Sequence, residues 1–191
     1  MRWTNNNDYI LRAAPDGRIA EPQYTEDLLP VNEKTRSGIK LERKTGLCVH
    51  YAGSPGATYP QLRRFFKNLH HRFASYHWVI DQHGAIYNII PTDECAWHGG
   101  PTPKTRPEIT ELLGGRPNWS TEGICYLHND ASGSLTQETW GALVHLVAWR
   151  QQETGVAHIH RHYDYTRKEC PRYMVKNHDE WERFKEQVAK R

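Results

Sequence analysis

No stretch of the 191 residues approaches the ~20 consecutive apolar positions that a membrane-spanning helix requires. The first residues, MRWTNNNDYILRAAPDG, lack a basic segment leading into an apolar run and a small-residue cleavage site. The expectation is therefore synthesis in the cytoplasm without a signal peptide. Cysteine is sparse, and Cys48, Cys95, Cys125 and Cys170 form no CxxC pair. A disulfide framework is then the weaker reading, and buried thiols or a metal ligand the stronger. A dense Lys/Arg stripe with interleaved aromatics is also missing, and the net charge is only +3, so nucleic acid is not an expected partner. There are no internal repeats and no low-complexity tract.

What is present fits one domain. A hydrophobic content of 37% with seven tryptophans is enough for a substantial core at this length. Residues 1–40, rich in Asn, Pro and charged groups and without periodicity, read as an extended N-terminal arm wrapping a domain of residues 41–191. Within that domain Leu47–Tyr51 reads as a short apolar strand stopped by Gly53-Ser54-Pro55-Gly56. Leu62, Phe65, Phe66 and Leu69 place a helix over Tyr59–Leu69. Strands are expected over Ser75–Asp81 and Ala85–Ile90, joined at Asp81-Gln82-His83-Gly84, and over Glu122–Leu127 and His158–His162. The Gly/Pro-rich segment 99–120 carries one helical turn near Glu108–Leu113. Helices follow over Gln137–Gln152, capped by Thr136, and over Glu180–Val188. The fold class is α/β, a mixed central sheet flanked by helices.

The chemistry-bearing residues fall in two places. His50 lies in the first strand, and Arg161-His162-Tyr163-Asp164-Tyr165-Thr166-Arg167-Lys168-Glu169-Cys170-Pro171 lies far downstream. Two imidazoles and a thiolate suffice for a catalytic zinc ion with an open fourth position. Strand alternation leaves the choice open: His158, His160 and His162 share one parity, and Cys48 shares a face with His50. Cys48 is read as a buried core thiol.

Three stretches narrow the choice: Ser75-Tyr76-His77-Trp78-Val79-Ile80-Asp81-Gln82-His83-Gly84-Ala85-Ile86-Tyr87, Ala96-Trp97-His98-Gly99, and the segment Arg161–Pro171. Together they resemble the zinc-dependent N-acetylmuramoyl-L-alanine amidases, a family shared by phage lysozymes of the amidase type, bacterial wall amidases and animal peptidoglycan-recognition proteins. Leu29-Pro30-Val31-Asn32, Arg36-Ser37-Gly38-Ile39-Lys40-Leu41 and Asn177-His178-Asp179-Glu180-Trp181-Glu182-Arg183-Phe184 extend the resemblance over roughly residues 28–190. It implies one catalytic Zn2+ held by His50, His162 and Cys170. It also implies a catalytic Lys168, a water-assisting Tyr76, and a substrate groove lined by His98 and Trp97, with Trp119 either stacking on substrate or packing. Trp140, Trp149 and Trp181 are read as structural.

The implied reaction is hydrolysis of the amide between the lactyl group of N-acetylmuramic acid and L-alanine through a zinc-activated water. The expected setting is a phage or prophage endolysin that acts on bacterial peptidoglycan, as a monomer, after release to the wall, with a bacterial amidase exported by other means or used in mother-cell lysis as the alternative. Cys125 occupies a position where many bacterial members carry glutamate, so a carboxylate there is no part of the implied mechanism. Glu122, on the opposite strand face, is not its replacement. Two alternatives stand beside the enzyme: a non-catalytic peptidoglycan-binding module of the same fold, and a structural zinc protein. An intact His50–His162–Cys170–Lys168 set argues against the first, and the absence of a fourth protein ligand argues against the second.

Overall fold

A computed structural model describes residues 9–101 and 104–190. Six strands form one mixed sheet: β1 (Thr25–Glu26), β2 (Gly46–Tyr51), β3 (Trp78–Ile80), β4 (Ile86–Asn88), β5 (Thr121–Tyr126) and β6 (His158–Arg161), in the order β1-β4-β3-β5-β2-β6. Only β3 and β4 run antiparallel; the other neighbours are parallel. Central β2 and β5 are buried almost throughout, as parallel strands covered on both faces must be.

One face of the sheet carries Leu47, Val49, Trp78, Ile80, Ile124 and Tyr126. They pack against α4 (Gln137–Thr154) and α7 (His178–Ala189) through Trp140, Leu143, Val147, Trp181 and Phe184. The opposite face is divided. One cluster gathers Val79, Ile89 and Leu127 with Tyr59 and Phe66 of α1 (Tyr59–Lys67). A smaller one joins Cys48 to Ile109 and Leu113 of α2 (Pro107–Leu113) and to Tyr165. On β2, Cys48 belongs to the smaller cluster, and Ala52, just past the strand's end, packs against the larger, leaving His50 between them.

Thr136 caps α4 as expected, its Oγ1 accepting from the Thr139 N–H at 3.1 Å, and the helix runs to Thr154, two residues beyond the expected end, where Gly155 closes it at φ +69°. Other boundaries are corrected. Helix α1 stops at Lys67, and the 75–81 and 85–90 strands pair regularly only over Trp78–Ile80 and Ile86–Asn88. The backbone before β3 bonds elsewhere, Ser75 N–H to the Trp97 carbonyl in a loop and His77 N–H to the Gly123 carbonyl of β5. Segment 99–120 holds α2 and a second helix, α3 (Pro117–Ser120), each opened by a proline in its first turn. The expected strand 158–162 ends at Arg161. There the Asp164 carboxylate turns back to the Arg161 N–H at 2.7 Å, and α5 (His162–Thr166) begins. Another short helix, α6 (Arg172–Lys176), precedes α7.

Residues 9–40 are largely extended and touch both faces: Tyr9 and Ile19 join the α4 side, and Leu29 inserts beside Phe66 on the other. Among the described residues no helix is long and apolar enough to cross a membrane.

Candidate metal centre

Strand register, rather than parity, selects the second histidine. Gly46 pairs with His158 and Cys48 with His160, and one step further the chain brings His162 alongside His50, ring centroids 5.0 Å apart. His160 sits against Tyr165 instead, at 5.4 Å. The chain then reverses. Arg167, at φ +64°, ends α5 in the left-handed region, and the Tyr163 N–H reaches back to the Cys170 carbonyl at 2.9 Å. That return carries the Cys170 sulfur to 3.7 Å from His50 Nδ1. The donor atoms of His50, His162 and Cys170 all lie within 4.8 Å of one another, and all three residues are buried.

A second group, Cys48, His50 and His98, meets the same distance test. It shares His50 with the first. His98, expected to line a groove, is 4% exposed. Its Nε2 lies 3.1 Å from the Thr121 carbonyl and its Nδ1 3.1 Å from His50 Nε2. A β-carbon on Gly123 would stand 2.6 Å from the His98 ring, so β5 accepts that ring only because residue 123 has no side chain.

Burial pushes the His50 imidazole well below its ordinary range, and His162, His98 and Lys168 push the same way. Burial, then Lys168, lowers His162 to about 4. Both rings are therefore neutral near pH 7 and offer lone pairs. Burial raises the Cys170 thiol to about 11, partly offset by the Tyr51 backbone N–H and Lys168. A divalent cation among these donors would favour the thiolate, which is how such ligand sets couple metal binding to proton release. Two neutral imidazoles and one thiol, converging on one point, fit a tetrahedral N/S-preferring ion such as zinc.

The exposed Lys168 lines a groove of about 400 Å3 with Gly100, Pro101, Lys104, His162, Thr166 and Arg167. Gly100 and Pro101 also border a neighbouring groove of about 480 Å3 walled by Phe73, Trp97, Arg116, Asn118 and Trp119. Trp119 packs edge-on to Trp97 at 6.4 Å and lies under the Arg116 guanidinium at 4.5 Å. A cavity of similar size between the arm and α4, lined by Tyr9, Arg12 and His145, contains none of the donors. The Tyr76 ring lies 5.0 Å from His50. Burial, then Cys125 and Cys170, raises its phenol well above the ordinary value, so it is a proton donor near pH 7.

Cys125 pairs in register with His50 and shares its face. Glu122 lies on the other, 1% exposed, where Arg150 grips both carboxylate oxygens at 2.9 and 2.6 Å and Trp78 Nε1 donates at 3.1 Å. Burial alone would raise the Glu122 carboxyl, but the Arg150 hydrogen bonds and charge outweigh it and the net shift is downward. Sequence reasoning missed Asp164, which ends β6, and Asn118, whose Oδ1 accepts from the His98 and Gly99 N–H groups. The former carried a signal in its three-residue spacing from Arg161; the latter carried none.

Comparison with known proteins places these features in a group. Residues 41–173 match the family model described as N-acetylmuramoyl-L-alanine amidase. A probable N-acetylmuramoyl-L-alanine amidase of Bacillus licheniformis is 30% identical over 85% of this chain and 46% of its own length. The amidase BlyA of Bacillus subtilis is 31% identical over 86% of this chain and 46% of its own. The chain thus spans about half the length of the curated relatives it matches. A mutant endolysin from Bacillus subtilis superposes with a TM-score of 0.68 at 25% identity, covering 87% of this chain and 98% of that one. The catalytic domain of XlyA superposes with a TM-score of 0.67 at 26% identity, covering 87% and 99%.

Proposed function

The chain belongs to the N-acetylmuramoyl-L-alanine amidase family, and from that membership we propose that it cleaves peptidoglycan at the amide joining the lactyl group of N-acetylmuramic acid to L-alanine. The observation that carries the reading is the convergence of His50, His162 and Cys170 within 4.8 Å, beside a groove bordered by Lys168. Those three residues would hold one zinc ion. Bound there, zinc supplies Lewis acidity toward a carbonyl oxygen and makes water more acidic.

The chain's own groups would do the rest. Lys168, exposed at the edge of the groove, stabilises negative charge as it develops on the scissile carbonyl oxygen. Tyr76, protonated beside His50, orients water or substrate by donating a hydrogen bond rather than by removing a proton. Trp97 offers an aromatic wall to substrate in the adjoining groove. Of the expected arm, residues 1–8 lie outside the described residues; residues 9–40 would brace a catalytic domain that begins at residue 41. Structural neighbours that are endolysins support an endolysin role, that is, wall lysis from within the producing cell.

The test is the release of new amino groups from purified peptidoglycan, with turbidity followed in parallel, in protein stripped by a chelator and reloaded with zinc. Amines are expected with zinc and not without it. Protein that binds one equivalent of zinc yet frees no amines would refute the reading.

A further inference from the structure

The two donor groups share His50, yet its two nitrogens face different partners: Nε2 lies 3.1 Å from His98 Nδ1, and Nδ1 lies 3.7 Å from the Cys170 sulfur. The far side of His98 settles the proton positions. Its Nε2 faces the Thr121 carbonyl at 3.1 Å, and a carbonyl only accepts; the Thr121 hydroxyl, 3.5 Å from the same nitrogen, gives its hydrogen to the Pro117 carbonyl at 2.7 Å. His98 Nε2 therefore carries a hydrogen, and neutral His98 has a bare Nδ1. That bare nitrogen accepts from His50 Nε2–H, which leaves the lone pair of His50 on Nδ1, facing Cys170.

We propose that His98 is a positioning residue: a buried relay, Thr121 carbonyl to His98 to His50, that locks His50 in the tautomer whose Nδ1 completes a metal site with His162 and Cys170. The relay excludes the competing group, because a metal shared by Cys48, His50 and His98 would have to displace the hydrogen bond between the two rings. The inference rests on the His50–His162–Cys170 reading of the centre but not on the identity of the substrate. Its support is rigid. His98 is pressed against Gly123 of β5, and its backbone N–H is held by Asn118 Oδ1 at 3.0 Å. An imidazole ligand oriented by an outer partner typically loses about 10–100-fold in metal affinity when that partner is removed.

Metal binding, measured apart from catalysis, tests this. Cobalt(II) is titrated into the stripped full chain and followed by its thiolate charge-transfer band, and zinc affinity is read by competition with a chromophoric chelator. Cys170→Ser abolishing the band verifies the centre itself, so failure of that arm is distinct from failure of the relay. His98→Ala is expected to keep the band and bind both metals about 10–100-fold more weakly. His98→Asn, whose Oδ1 stands near the place of Nδ1 and accepts from His50, is expected to recover most of the affinity, and Cys48→Ser to change nothing. Unchanged affinity in His98→Ala overturns the relay. So does equal loss in His98→Asn and His98→Ala accompanied by loss in Cys48→Ser, which would make His98 a ligand. Nitrogen-15 spectra of the unaltered protein need no variant: His50 and His98 should both be protonated at Nε2, and Nδ1–H on His50 would overturn the proposal.

Discussion

Cys170 and Lys168 sit two residues apart yet in opposite surroundings, one sulfur 2% exposed and one amine at the mouth of a groove. Their substitutions should therefore separate binding from turnover. Cys170→Ser replaces a proposed ligand whose thiolate only a cation would make accessible near neutral pH, so tight zinc binding and amine release should vanish together. Retained activity in that variant would show that the ligand set is wrong. Lys168→Ala leaves all three donors in place, so one equivalent of zinc should remain bound while kcat falls by about 10²-fold. A kcat equal to that of the parent would reduce Lys168 to a solvated surface residue. Histidine at 162 could be chosen from the residue pattern only with help from the family resemblance, since three same-parity histidines compete. Register, a property of two strands, is what separates them.

Elements carry a different lesson. Long periodic segments, α4 above all, were readable because every turn repeats the same apolar demand, and Thr136 and Gly155 mark its ends. Helices α5 and α6, five residues each, are too short to show a period, and tertiary contacts hold them: Arg161 alone binds Asp164 and the Met174 carbonyl. The role of His98 was hidden for a similar reason. Its partners His50 and Thr121 are distant in sequence and meet it only once β2 and β5 have paired.

Strand β5 also anchors to α4 through the Glu122–Arg150 pair. Removing Arg150 alone, as in Arg150→Ala, leaves a buried carboxylate facing Lys44 at 3.6 Å and the Trp78 N–H. His77 is also near enough to act on that carboxylate but is neutral near pH 7, so the loss should cost about 3–5 kcal/mol in urea unfolding. Replacing both partners together, Glu122→Leu with Arg150→Leu, should restore much of that stability. The double variant should also keep its zinc, because the pair lies across the sheet from the metal donors. If the single variant unfolds like the parent, the pair contributes nothing measurable.

At the scale of the whole molecule, stability should depend on pH through histidines buried in their neutral form. His77 donates from Nε2 to the Glu94 carbonyl at 2.8 Å and accepts at Nδ1 from the Gly123 N–H at 2.9 Å, so protonation breaks the second bond. His145 similarly bonds the Ala20 carbonyl at 2.7 Å and ties the arm to α4. Burial lowers both from the ordinary 6.5. Below 6.5 the unfolded chain takes up protons that the folded chain refuses, so stability is full above that pH and declines as pH falls through it. Each broken bond should cost about 1–3 kcal/mol. Melting curves of chelated protein from pH 7.5 to 5 would show this, and a flat profile would refute it. The arm contributes to the same total: Leu29→Ala, emptying a fully buried site beside Phe66, should cost about 2–5 kcal/mol without altering zinc affinity.

The alternation of β5 has one further consequence. Its six residues present Gly123 and Cys125 to the metal side and Glu122 to the support side, and a slip of one position against β2 would exchange them. A carboxylate would then arrive next to the donors, the glycine that admits the His98 ring would be gone, and Arg150 would face an empty slot. Parallel partners on both flanks, β2 and β3, make that misthreading expensive. Fidelity of assembly and identity of the chemistry are in this protein one decision, taken when a single strand finds its place.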